Sequence, residues 1–327
     1  MSRRSLGVVL PYWLDRPDAE ALDIAEQARA QGFSRLWIGE MATFDAFTLA
    51  TAIGLKSPGL DITVGPLAIG VRSPVALALG VSSVATLTGS AVDLALGASS
   101  PAIVSGWHDR DWAAAPARMR ETVEVVRRVL DGDRTDYTGK LVRTRGFRLR
   151  APQPSTTLTV AAFGPQMTRV AVESADQLVL NLVSPDHVAA VRAAIDAIAA
   201  EHGITAPRLA VWVSAAIDPG PATYRQMTAQ IAAYLRPPGY GEMFADLGFG
   251  DLVARARAGA SRAELADAIP PQLPAAVGAI GSGSEVVARI ESYFEAGADH
   301  IGIVPATAED EAGRRVLGVL SAVRTHG

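Results

Sequence analysis

Val92-Asp93-Leu94-Ala95-Leu96-Gly97-Ala98-Ser99-Ser100-Pro101 passes from a short apolar run straight into small residues, then into a loop holding Trp107-His108-Asp109-Arg110-Asp111-Trp112. The opening has the pattern of a strand buried on both faces, as in a parallel sheet. The small residues after it let a backbone approach a planar ligand closely. A Trp-His pair can wall such a ligand and exchange protons with it. A strand end followed by a loop of this kind is where a parallel α/β barrel carries its chemistry. The segment therefore reads as one wall of a pocket.

The same strand-then-helix unit recurs on either side. Strands are predicted at 6–10, 33–39, 62–67, from 92, and at 158–162, 177–182, 209–217 and 300–304, with helices between them. Pro17 suits a first helical position, and Gly32 supplies a helix stop. Met119, Val123, Val126 and Leu130 mark an amphipathic helix. A hairpin follows, with Thr138-Gly139-Lys140 at its tip. Its Arg143, Arg145, Arg148 and Arg150 read as a solvated or subunit-contacting face. The stretch 237–274 breaks the rhythm with Pro, Gly, Ala and aromatic residues, and reads as a helical insertion after strand seven. Ser282 and Glu285 form a capping box, and the last helix is expected over about 309–323. Eight strands alternating with helices predict one α/β domain over 1–327, a single (β/α)8 TIM barrel with that insertion.

Composition removes several classes of chemistry. The chain has no cysteine, so disulfides, thiolate metal sites and cysteine nucleophiles are excluded. Lysine occurs only as Lys56 and Lys140, neither where a strand would deliver it to a pocket, so Schiff-base chemistry is not expected. His108, His187, His202, His300 and His326 show no metal-ligand spacing, and no metal is expected. A net charge of −4 gives no electrostatic case for nucleic acid. The opening apolar run is too short for a signal peptide and no later run reaches membrane-spanning length. A cytoplasmic protein without membrane contact is the expectation.

The predicted strand ends offer Tyr12 and Trp13, then Glu40 and Met41, Gly65-Pro66-Leu67, Gly97 to Ser100, Ala161 to Met167, and Asn181. Such a set, mostly small or apolar, suits a broad uncharged ring over a barrel mouth better than a sugar phosphate. Gly164-Pro165-Gln166-Met167 reads either as an anion site at an open helix start or as an ordinary strand-to-helix turn. His108 reads as a proton carrier or as a loop histidine with structural hydrogen bonds. Glu40 reads as a pocket acid, a helix cap or an arginine partner.

Leu36-Trp37-Ile38-Gly39-Glu40, Gly65-Pro66 ahead of Arg72-Ser73-Pro74, Ala95 to Pro101 with Trp107-His108, and Ala162-Phe163-Gly164-Pro165 together resemble the bacterial luciferase-like superfamily. They are most similar to its branch that uses the deazaflavin coenzyme F420. The resemblance implies a cofactor ring over a bulge at the end of strand three, at Gly65, Pro66 and Leu67, with a cis bond at Gly65-Pro66. It implies further cofactor contacts at Met41, at Ala98, Ser99 and Ser100, and at Ala162, Phe163, Gly164, Pro165, Gln166 and Met167. Met41 stands where many members carry histidine, and Ser100 where the sugar-phosphate dehydrogenase branch carries an acid.

The expected activity is hydride transfer between F420 and a small organic substrate. His108 is the first candidate for the proton-transferring residue and Glu40 the second, with Trp13 and Trp107 as substrate walls. Two rivals stand beside it: an FMN-dependent monooxygenase on the same fold, and a non-catalytic flavin- or deazaflavin-binding protein. A homodimer is expected from the resemblance.

Overall fold

A computed structural model describes residues 4–323. His326 and the first three residues lie outside that range. The strands are β1 (Ser5–Val9), β2 (Arg35–Ile38), β3 (Asp61–Ala68), β4 (Val92–Gly97), β5 (Thr135–Thr138), β6 (Arg143–Phe147), β7 (Leu158–Ala161), β8 (Gln177–Asn181), β9 (Arg208–Ile217), β10 (Gly278–Gly281) and β11 (His300–Pro305). All pair in parallel except the hairpin β5–β6, and helices alternate with them. The fold is the α/β architecture of a (β/α)8 barrel. No helix among the described residues is long and apolar enough to cross a membrane.

The chain gathers into two compact units. Among the described residues, one holds 4–33, 180–194 and 209–323. Its hydrogen-bonded strand order is β10-β9-β11-β1. β10, a strand beyond the predicted eight, pairs only with the carboxyl half of β9, Ser214 to Ile217. Its Gly-Ala-Ile-Gly is too short and too Gly-rich for a periodic signal. The Pro/Gly-rich insertion is helical throughout its core: Tyr240–Phe244, a wide turn at Ala245–Phe249, then Gly250–Arg257, Arg262–Ala268 and Gln272–Val277. His300 is structural, fully enclosed with its Nδ1 2.9 Å from Ser5 Oγ.

Two boundaries move. The first helix begins at Glu20 rather than at Pro17, which instead closes a turn by accepting from Glu20 N. The last helix spans only Arg314–Ser321, because Ala312 and Gly313 take left-handed backbone angles just before it.

The second unit holds residues 34–179 and 195–208, with strand order β2-β3-β4-β7 followed by the start of β8. β4 is buried along its whole length, as its apolar run predicts. At the amino ends of these strands the charges are paired. Asp93 accepts from Arg35 Nη1 and from Thr157 N at 2.8 Å, and Arg35 also reaches Thr63 Oγ1 at 3.1 Å and Asp61 at 3.6 Å. This leaves the carboxyl ends to the small residues. The hairpin rests on Glu121, whose carboxylate accepts from the amides of Lys140, Leu141 and Val142. Burial pushes the Glu121 carboxyl up, but those amides outweigh it and its pKa falls. Arg143, Arg145, Arg148 and Arg150 are exposed.

Candidate active site

β3, β4 and β7 are consecutive in the sheet, so Gly65-Pro66-Leu67, Ala98-Ser99-Ser100 and Ala162-Phe163-Gly164 leave it at one edge, side by side. Gly97 is the contact point. In register it lies between Ala68 of β3 and Ala161 of β7. A Cβ placed on it would lie 3.3 Å from Pro66 Cβ and 3.7 Å from Ala161 Cβ. The β3–β4 register slips between Val64 and Leu67, where the cis Gly65-Pro66 bond lies, as expected from the resemblance. Gly65 sits at φ +119°, packed so closely that a Cβ would fall 2.1 Å from Ala95 O. The three strand ends thus form a floor of backbone that meets closely at Gly97, with small side chains at Ala98 and Ala161.

The rim around the floor comes from loops. Ser99 turns the chain at φ 59°, and Ala102–Trp107 then forms a wide π-type helix anchored by fully buried Val104. This presents Trp107, 57% exposed, and exposed His108 to solvent. Trp112 folds back, its Nε1 donating to Ala98 O at 2.9 Å. On the β7 side Gly164 takes φ 77° with open space about it. Pro165 then starts a helix running to Ser174 with no side-chain cap, so the amides of Gln166 and Met167 lie in its first turn without one. Gly164, Pro165 and Gln166 are exposed, while Met167 is buried into the core.

Glu40 is tied down. Its Oε1 accepts from Arg72 Nη1 at 2.8 Å, and its Oε2 from Ala46 N at 3.1 Å. Arg72 also pairs with Asp45, which caps the helix Ala46–Lys56 through Thr48 N. Burial works against the Arg72 charge, but Glu40 and Asp45 outweigh it and raise its pKa. Burial likewise pushes the Asp45 carboxyl up, and the Thr48 bonds with the Arg72 charge pull it further down. Both simpler readings of Glu40, cap and arginine partner, hold in the structure. Met41 follows on the same loop, 42% exposed. Arg72 was visible only as part of a motif; its clamp joins residues 27 and 32 positions apart, beyond the reach of local pattern.

The other unit carries Trp13, buried, with Nε1 donating to Pro305 O at 2.8 Å. It also holds a polar pair of which the strand ends reveal only one member. Asn181, last residue of β8, shares a hydrogen bond with Tyr240 from the insertion, and Tyr234 packs 4.8 Å from the Tyr240 ring. Burial drives the Tyr240 phenol far upward, so it stays neutral.

The model of the family described as luciferase-like monooxygenase matches residues 11–300. This chain belongs to that family. Among family relatives, a protein of Mycobacterium tuberculosis named as a coenzyme F420-dependent oxidoreductase is 24% identical over 197 residues, 55% of this chain and 56% of that one. The 5,10-methylenetetrahydromethanopterin reductase of Archaeoglobus fulgidus is 25% identical over 181 residues, 54% of this chain and 53% of that one. The chain thus spans little more than half the length of either. The coenzyme F420 dependent tetrahydromethanopterin reductase of Methanopyrus kandleri shares the fold with TM-score 0.81 over 97% of each chain at 17% identity. So does the oxygenating constituent of 3,6-diketocamphane monooxygenase of Pseudomonas putida, solved in complex with FMN, with TM-score 0.69 over 98% of this chain and 97% of that one at 18% identity.

Proposed function

We propose that this luciferase-like chain is an oxidoreductase that passes hydride between the deazaflavin coenzyme F420 and a small organic substrate. The observation that carries the reading is the floor at Gly97, where Pro66 and Ala161 approach within a Cβ's reach on either side. A flat tricyclic ring can lie on such a surface, whereas a lysine or carboxylate there would stand up into it. The F420-dependent relatives support the choice of ring.

When bound, the deazaflavin supplies a ring carbon that gives or takes hydride and reacts poorly with oxygen. The chain's own residues do the rest. Gly65, Pro66, Leu67 and Ala98 to Ser100 would support the ring, and Met41 would lie at its edge. Ala162 to Gln166 would face its side chain, with the uncapped amides after Pro165 offered to an anion. The Met167 side chain, buried in the core, would anchor that turn rather than touch the cofactor. His108, held out on its loop, is the proposed proton donor or acceptor at the substrate. Glu40, with both oxygens engaged, serves in this reading to hold Arg72 and the loop after β2. Trp107 would cover the substrate.

Titration of the purified protein with F420 and with FMN at one salt concentration tests this, with oxygen uptake followed for each reduced cofactor. Tighter F420 binding without oxygen uptake is the expected result. Tighter FMN binding with oxygen uptake establishes the monooxygenase reading, favoured by the FMN-bound structural relative. A bound cofactor whose oxidation state no substrate changes points to a binding protein.

The same reading includes a homodimer. The helices Ala46–Lys56 and Pro74–Thr88 carry one charged residue between them, Lys56 at an end, and expose Leu55, Leu79 and Leu87. An uncharged exposed face of this kind fits a second copy of itself. Leu79→Glu with Leu87→Lys is expected to convert a dimer to a monomer in sedimentation velocity. A wild-type protein that sediments as a monomer at high micromolar concentration refutes it.

A further inference from the structure

The loops that leave β2, β3 and β4 join into one surface. Arg72, after β3, holds Glu40 and Asp45 of the loop after β2. Gly70, also after β3, comes so near the loop after β4 that a Cβ on it would lie 3.9 Å from Asp111 O and 3.5 Å from Arg118 Cδ. Trp112 is pinned in turn to Ala98 O, at the floor proposed for the cofactor.

The charges of this surface are matched from within. Residues 39–45, 69–73 and 98–114 carry four carboxylates and two arginines. Arg72 is closed between Glu40 and Asp45, whose carboxylates also accept from Ala46 N and Thr48 N. Asp111 accepts from Ala113 N and stands 3.9 Å from Arg118. That leaves Asp109 and Arg110, adjacent and of opposite sign. A phosphate or carboxylate on a substrate would meet one arginine set between two aspartates. An ammonium would meet one aspartate beside an arginine. Neither charge would recover its lost hydration here.

The loops present apolar groups instead. Of the nine large apolar side chains exposed among the described residues, four stand on them: Met41, Phe44, Trp107 and Trp112. Scattered singly, such side chains are ordinary; four on joined loops mark a binding surface. The polar clamps hold the backbone beneath them. The Trp112 N–H is already engaged, so its ring offers only an apolar face. A molecule of a few carbons would cover one of these side chains and leave the others wet.

We infer that the substrate of this site is uncharged and carries an apolar body of bicyclic size or larger, with Phe44 and Trp107 as its specificity-determining residues. This rests on the hydride-transfer reading above and names its substrate class. Phe44 belongs to none of the motifs that point to the family.

The test is isothermal titration calorimetry of the protein loaded with oxidised F420, so that binding is read without turnover. Acetonaphthone, naphthoate and naphthylmethylammonium share one ring system and differ in charge, while cyclohexanone is uncharged but small. Acetonaphthone is expected to bind about tenfold more tightly than each of the other three, from its extra apolar area over cyclohexanone and the uncompensated charge of the ions. Phe44→Ser and Trp107→Ala should each weaken acetonaphthone about fivefold and leave cyclohexanone within about twofold. Equal binding of the four, tighter binding of either ion, or binding of none overturns the inference. So does a Phe44→Ser protein that keeps its acetonaphthone affinity but changes its sedimentation, which assigns Phe44 to a contact between copies. If the variants do not fold, the ranking of the four ligands on the wild type decides. A wild type that takes FMN in place of F420 ends the cofactor reading alone, and the same four ligands on the FMN-loaded protein then test the substrate class. A wild type that takes neither cofactor overturns both.

Discussion

Gly65→Ala is expected to lower stability by about 3 kcal/mol or more, combining a disfavoured backbone angle with overpacking against a neighbouring strand. The new Cβ would fall 2.1 Å from Ala95 O and 2.8 Å from Leu67 N, both backbone atoms that cannot rotate away. β3 would have to part from β4 where their register already slips. The floor at Gly97 would tilt with it, so cofactor affinity is expected to fall together with the denaturation midpoint. Gly59→Ala is the control. It shares a positive φ, +94°, but has nothing within 4 Å of the added carbon. It should therefore cost only about 1 kcal/mol. Equal midpoints for the two variants would show that the approach to Ala95 is not tight.

Asp93→Ala is the second large effect, at the opposite end of the same strands. Asp93 is nearly buried and joins three strands, accepting from Arg35 at the start of β2 and from Thr157 N just before β7. Truncation leaves the amide unpaired and Arg35 with Thr63 Oγ1 at 3.1 Å and, as its remaining carboxylate, Asp61 at 3.6 Å. Breaking a buried pair from one side costs roughly 3–5 kcal/mol, and residual pairing with Asp61 should hold the loss near about 3. Urea unfolding measures it. A loss below about 1 kcal/mol would show that the pair behaves like an exposed one. Cofactor affinity should change little among molecules that remain folded, which separates this variant from Gly65→Ala.

The two variants mark what the sequence could and could not disclose. Apolar runs such as Leu94-Ala95-Leu96, bounded by Gly and followed by helical periodicity, determined the strand and helix order, because burial on both faces leaves a purely local trace. The hairpin, the helix at Met119 to Leu130 and the Ser282 capping box were legible for the same reason. Gly65-Pro66 and the small residues after β4 were also readable as a place for close approach, since no other residue type serves there.

Tertiary structure alone decided the partners. Glu40 was visible as an acid at a strand end, but its binding to Arg72 and Ala46 N depends on two loops meeting. Trp13 was visible as an aromatic near a strand end, yet its indole is committed to Pro305 O from the far end of the chain. Arg118 resembles any exposed helical arginine in the sequence. Only the approach of Gly70, Ala98 and Trp112 encloses it. Backbone periodicity reports the burial of a segment, whereas the state of a charge depends on neighbours brought from distant positions, which no local pattern encodes.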